Sequence, residues 1–155
     1  APLQNATIDM STHSDRLAAA LPMSMRILAR NLGLALDAAD VGVNVPQFGM
    51  LDFLLTNSEA VQTDLANHLH KDKSVILRQL DQLEQAGWVE RQMDPEDRRR
   101  KNLVVTKAGQ EVHRKAARVR DKVFAQVLEG IALKDVETML KVLHRMAENA
   151  TINDR

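Results

Sequence analysis

Apolar residues recur along this chain at helical spacing for most of its length, with one interruption after Gly87. From Leu17 through Leu21, Met25, Leu28, Leu32 and Leu36 they fall every three or four residues, with Arg16, Arg26, Arg30 and Asp37 between them. That spacing predicts an amphipathic helix. Thr12 and Asp15 form a capping-box pattern that starts it near Ser14, leaving residues 1–10 as a loose arm. Pro22 interrupts the stripe: it either kinks one long helix or sits in the first turn of a second. After a connector from Val41, Pro46 suits the first turn of a helix running from Gln47 to Leu55, with Phe48, Leu51, Leu54 and Leu55 as its apolar stripe. Asn57 and Ser58 break it.

A short helix is expected from Thr63 to Leu69, burying Leu65, Ala66 and Leu69. Asp72 or a neighbour caps the next, which runs to about Gln85 and stops before Gly87. In it Ile76, Leu80 and Leu83 share one side, so Ser74, Arg78, Asp81 and Gln85 point away, with Lys73, Leu77 and Gln82 at the margins. From Ala86 to Thr106 the pattern changes to two short strands joined by a charged loop that Asp94 and Pro95 open. Two helices, a polar turn and a basic hairpin are the layout of a winged helix.

Thr106 is the expected N-cap of a long helix to about Leu128, apolar at Val112, Ala116, Val119, Val123 and Val127, which Gly130 closes. A last helix, Lys134 to Ala150, carries Val136, Met139, Leu140, Leu143, Met146 and Ala147 on one stripe. The fold class expected is mainly α with a small β-hairpin wing. A winged helix-turn-helix over residues 46–106 is flanked by an N-terminal arm and dimerisation helix (1–45) and by C-terminal dimerisation helices (107–155), the three forming one intertwined fold. The terminal helices are long relative to the winged unit, and an apolar stripe needs a partner; a second copy of the chain would supply it.

Charge changes this picture only locally. The 155 residues hold 21 Lys plus Arg and 21 Asp plus Glu, so net charge gives no reason to expect a polyanion. Between Arg98 and Lys107, however, stand Arg98, Arg99, Arg100, Lys101 and Lys107 with no anion among them. No cysteine is present, which excludes disulfides, thiolate metal sites and thiol chemistry. Neither a membrane span nor a signal peptide is legible, so the expected location is the cytoplasm. No Gly-rich phosphate loop, nucleophile motif or carboxylate pair on one face points to an enzyme, and no catalytic residue or cofactor is expected. His68, His70 and Asp72 invite a metal reading, but imidazoles two residues apart at a helix end do not share a face, and no metal is expected.

Leu65-Ala66, Asp72-Lys73-Ser74, Arg78, Leu83-Glu84, Gly87, Arg91, the run Asp94 to Arg99 and Thr106 to Gly109 resemble the MarR family of bacterial transcriptional regulators. The motif match spans roughly Pro46 to Gly109, and the flanking helices agree in number and order. The resemblance implies a homodimer joined by its terminal helices, two lobes reading a pseudo-palindromic operator in double-stranded DNA, and a repressor that a small aromatic or phenolic effector releases.

Arg78 is then the candidate for bidentate bonding to guanine O6 and N7, against the alternative of pairing with Asp81 one turn on. Lys73 and Ser74 suit phosphates or base edges, while Val75 and Leu77 either touch a thymine methyl or belong to the core. In the wing the resemblance makes Asp97 and Arg99 a pair that shapes the hairpin and sends Arg98 or Arg99 into the minor groove; Arg100 and Lys101 suit phosphates. Met23, Arg26, Met50 and Phe53 are candidates for a ligand pocket, although methionines at helical spacing also fill cores. The alternative function is a protein-interaction module that kept this fold and lost DNA binding.

Overall fold

The computed structural model describes residues 2–57 and 72–152, with side chains over 12–57 and 72–150. Helix α1 (Pro2–Ala38) is a single helix of 37 residues, about 55 Å long. Two expectations are corrected here. The helix begins at Pro2 rather than near Ser14, since proline at a first position lacks only an N–H that would be unpaired anyway. Pro22 lies inside it and starts no second helix. Ala18, Ala19, Ala20, Met23 and Met25 are strong helix formers and carry the helix past the one backbone bond that proline removes.

Helix α2 (Val45–Thr56) is started by a capping box: Asn44 Oδ1 accepts from the Gln47 N–H at 2.8 Å while Gln47 Oε1 accepts from the Asn44 N–H at 3.1 Å. Pro46 falls in its first turn as expected. Phe48, Met50, Leu51, Phe53 and Leu54 are buried, whereas Leu55 is exposed in the last turn beside the capping Asn57, a correction to the expected stripe. The expected helix from Thr63 to Leu69, with His68 and His70, lies outside the described residues.

Helix α3 (Lys73–Gln85) buries Ile76, Leu80 and Leu83, the three residues that its spacing selects. It ends in a Schellman motif: the Trp88 N–H donates to Leu83 O and the Gly87 N–H to Glu84 O, with Gly87 at φ +78°. Strand β1 (Val89–Met93) then pairs antiparallel with β2 (Lys101–Val105), Val89 opposite Val105 and Arg91 opposite Leu103. Alternation puts Val89, Leu103 and Val105 into the core with α2 and α3, and Arg91 on the same face. Thr106 closes this unit. Its Oγ1 donates to Gly87 O at 2.6 Å and accepts from the Gly109 N–H at 3.0 Å, so one side chain ties the end of α3 to the start of α4 (Lys107–Val127). On α4, Gly109, Val112, Ala116 and Val123 are buried.

The chain forms two compact units, Ala1–Val123 and Phe124–Arg155. In the first, α1 buries only Leu32 and Leu36 and leaves Leu17, Met23, Met25, Ile27 and Leu34 exposed. The second holds the end of α4, a turn at Gly130 (φ +78°) and α5 (Leu133–Ile152). Here Val136 is half-buried, while Phe124, Val127, Met139, Leu140, Leu143 and Met146 are exposed in the single chain. No helix among the described residues is long and apolar enough to cross a membrane.

Candidate nucleic-acid interface

The start of α3 is built by Asp72, whose Oδ1 accepts from both the Ser74 N–H and the Ser74 hydroxyl at 2.7 Å. Ser74 therefore has its proton committed to the cap and retains its lone pairs for a donor. These two bonds, the hydroxyl first, hold the Asp72 carboxyl below its ordinary value. A carboxylate with a lowered folded pKa stabilises the fold above its unfolded value and loses that contribution as pH falls through the folded one. Stability is therefore expected to drop below about pH 4. Asp72→Asn, a comparable cap that does not titrate, should flatten part of that drop in denaturation curves from about pH 5 to pH 2.5. An unchanged acid dependence in the variant would contradict this role.

Beyond the cap, Lys73, Leu77 and Arg78 are exposed and Val75 is half-buried. Leu77, at 43% exposure, is on the surface and not in the core. Among the described residues Arg78 makes no ion pair. Asp81, expected to face outward beside it, is instead turned to the wing: its Oδ1 accepts from Arg91 at 2.8 Å, and Arg91 also bonds Glu84. The Arg91 side chain is 15% exposed and straps β1 onto α3. Sequence reasoning placed Arg91 only as a motif residue. The signal was there, since an arginine two residues from the buried Val89 faces the core and requires a carboxylate partner.

The wing loop is held by backbone rather than by side-chain pairs. Asp94 N–H donates to Arg100 O at 3.0 Å and Arg100 N–H to Asp97 O at 2.9 Å. Asp94 Oδ1 accepts from the Glu96 N–H at 2.8 Å, which is the main cause of its lowered pKa. Asp97 Oδ1 accepts from the Arg99 backbone N–H at 2.9 Å and not from its guanidinium. The expected Asp97–Arg99 side-chain pair is thus corrected to a turn bond, because the short Asp side chain reaches the N–H two residues on. Arg98, Arg99, Arg100 and Lys101 are exposed; Arg100 Nε lies 3.9 Å from Asp94 Oδ2, and Arg98 and Arg99 have no carboxylate partner among the described residues.

The residues considered for a ligand pocket divide by burial. Met50 and Phe53 are core residues of α2, while Met23 and Arg26 are exposed on α1. Near α2, His113 Nε2 lies 2.9 Å from Asp52 Oδ1, the His113 ring is 5.3 Å from that of Phe48, and the Arg120 guanidinium stands 5.7 Å from the Phe48 centroid.

Residues 43–101, from just before α2 to the first residue of β2, match the model of the MarR family. The chain also superposes on a MarR-family transcriptional regulator from Rhodococcus sp. RHA1 with a TM-score of 0.78 and 27% identity, covering 86% of this chain and 94% of that one. This chain belongs to the MarR family. CouR from Rhodococcus jostii RHA1, solved with p-coumaroyl-CoA bound, superposes on this MarR-family chain with a TM-score of 0.75 at 27% identity, over 86% of this chain and 93% of CouR. YdgJ of Bacillus subtilis strain 168, an uncharacterized HTH-type transcriptional regulator, is 26% identical over 118 residues, 76% of this chain and 71% of YdgJ. The family match covers the residues that form α3 and β1 and the loop between the strands, so the exposed Arg78 and Arg98 to Lys101 fall within it.

Proposed function

We propose that this MarR-family chain is a sequence-specific transcriptional regulator of double-stranded DNA. It acts in the cytoplasm as a homodimer and represses until a small aromatic or phenolic effector releases it. The observation that carries this reading is the exposure of Arg78 on α3 and of Arg98, Arg99, Arg100 and Lys101 on a wing strapped to that helix. Arg78 reads base edges in the major groove, with Lys73 and Ser74 beside it and Val75 and Leu77 against thymine methyls. Arg98 or Arg99 enters the minor groove, and Arg100 and Lys101 hold phosphates. YdgJ, named as a regulator, supports the role, and the p-coumaroyl-CoA held by CouR supports an effector with a phenolic part. The reading assigns no catalytic residue.

Residues 46–106 carry the DNA contacts in this scheme, and residues 1–45 and 107–155 join the dimer. The exposed apolar residues of α1 and, separately, of α5 support a second copy as their cover. Two lobes related by a two-fold axis need half-sites one helical turn apart, about 10 bp centre to centre. Inserting about 5 bp between the half-sites of a selected inverted repeat turns one of them to the opposite side of the duplex, and is expected to reduce binding to the non-specific level in a gel-shift titration. Undiminished binding to the lengthened site would overturn the dimeric reading.

A further inference from the structure

We propose that Arg91 is a specificity-determining positioning residue: by holding Asp81 against the wing strand it keeps the Arg78 guanidinium unpaired for the duplex. The inference rests on the DNA-binding reading above and adds a residue that touches no base. Asp81 stands three residues after Arg78, the spacing at which an aspartate and an arginine meet on a helix surface. Half of the Asp81 side chain is exposed, so it remains within reach of a cation on its own helix. Yet it is bonded to Arg91 at 2.8 Å, and Arg78 makes no ion pair among the described residues. The competition favours Arg91 for two physical reasons. Its planar guanidinium spans both Asp81 and Glu84, and it is 15% exposed, where solvent and salt screen the pair less.

Without Arg91, Asp81 is released beside Arg78. The two then pair along α3, and a base edge must displace a carboxylate to reach the guanidinium. Two uncompensated carboxylates also stand next to the groove, which weakens every duplex; the loss peculiar to Arg78 appears in the ratio between duplexes.

The test compares wild type, Arg91→Gln and Arg91→Gln/Asp81→Asn. Each is titrated against a duplex that the wild-type protein selects from a randomised pool and against a scrambled duplex of the same composition. Arg91→Gln is expected to lower the ratio of the two affinities by about two- to fivefold, the range of an exposed ion pair. The double variant, which has lost the competing charge, should return the ratio to within about twofold of wild type. A purely structural role for Arg91 predicts no such rescue, because removing Asp81 as well restores no link between β1 and α3. An unchanged ratio in Arg91→Gln, or a double variant no better than the single one, overturns the proposal.

A second readout needs no DNA. The Arg78 Nε–Hε NMR resonance is expected to move in Arg91→Gln and to return in the double variant; a resonance that stays put overturns the proposal. If wild type selects no duplex, the DNA-binding reading fails, and this readout still decides whether Arg91 keeps Asp81 from Arg78. Should Arg91→Gln melt below the assay temperature, Arg91→Lys serves in its place, since an ammonium does not bridge two carboxylates as a guanidinium does.

Discussion

Replacing Gly109 by alanine is expected to destabilise this protein more than any other single methyl added to a glycine. A Cβ at that position would stand 2.1 Å from the Trp88 carbonyl oxygen and 2.8 Å from Val105 Cγ1. Neither neighbour has room to move. The Trp88 oxygen accepts the Thr106 N–H at 3.0 Å, Thr106 in turn caps α4 and bonds Gly87, and Val105 is packed in the core. Overpacking a core costs about 1–3 kcal/mol and sometimes more, and a clash with fixed backbone belongs at the top of that range. With about 2–4 °C lost per kcal/mol for a chain of this size, the midpoint of thermal unfolding should fall by about 6–12 °C. Gly49 provides the comparison: it is in α2, its added Cβ would meet nothing within 4 Å, and Gly49→Ala should raise stability by about 0.5–1 kcal/mol. Equal effects of the two substitutions would mean that the α3–wing–α4 junction is not the close-packed joint described above.

Arg78→Ala and Arg100→Ala are expected to impair DNA binding in different ways. Arg78 extends from the exposed side of α3 between Leu77 and the half-buried Gln79, one turn beyond Ser74. A bidentate contact to a guanine contributes about 1–3 kcal/mol of discrimination, so its loss should shrink the affinity ratio between operator and scrambled duplex by about 5- to 150-fold. Arg100 sits at the base of the wing loop, near Asp94, where a cation meets phosphate and reads no base. Its removal should weaken both duplexes alike and lower the salt slope by about one. Identical behaviour of the two variants would show that the recognition helix and the wing do not divide the work in this way.

Much of this arrangement was legible in the sequence because it rests on local rules. Ile76, Leu80 and Leu83 declare the buried side of α3 by spacing alone, and all three are buried. Asp72 and Thr106 declare the starts of α3 and α4 by their side chains. What escaped was set by residues distant along the chain or by competition between partners. Asp81 has Arg78 three residues away on its own helix, and only the return of β1 across α3 brings Arg91 to it. Asp97 and Arg99 share a face of a hairpin in principle, but the loop is a turn and the carboxylate finds a backbone N–H first. Pro22 was ambiguous because its cost is local while the support for continuing the helix is spread over its neighbours. The terminal stripes were legible as apolar, but a single chain shows them uncovered.

The most direct test of the account is the salt dependence of wild-type binding to a duplex that the protein selects, followed by fluorescence anisotropy. Two copies that each present Lys73, Arg100, Lys101 and one further wing arginine to the backbone make about eight phosphate contacts, and the slope of log affinity against log salt should be about −7. A slope near zero, or no saturable association with any duplex, would contradict the claim that α3 and the wing form a DNA-reading surface.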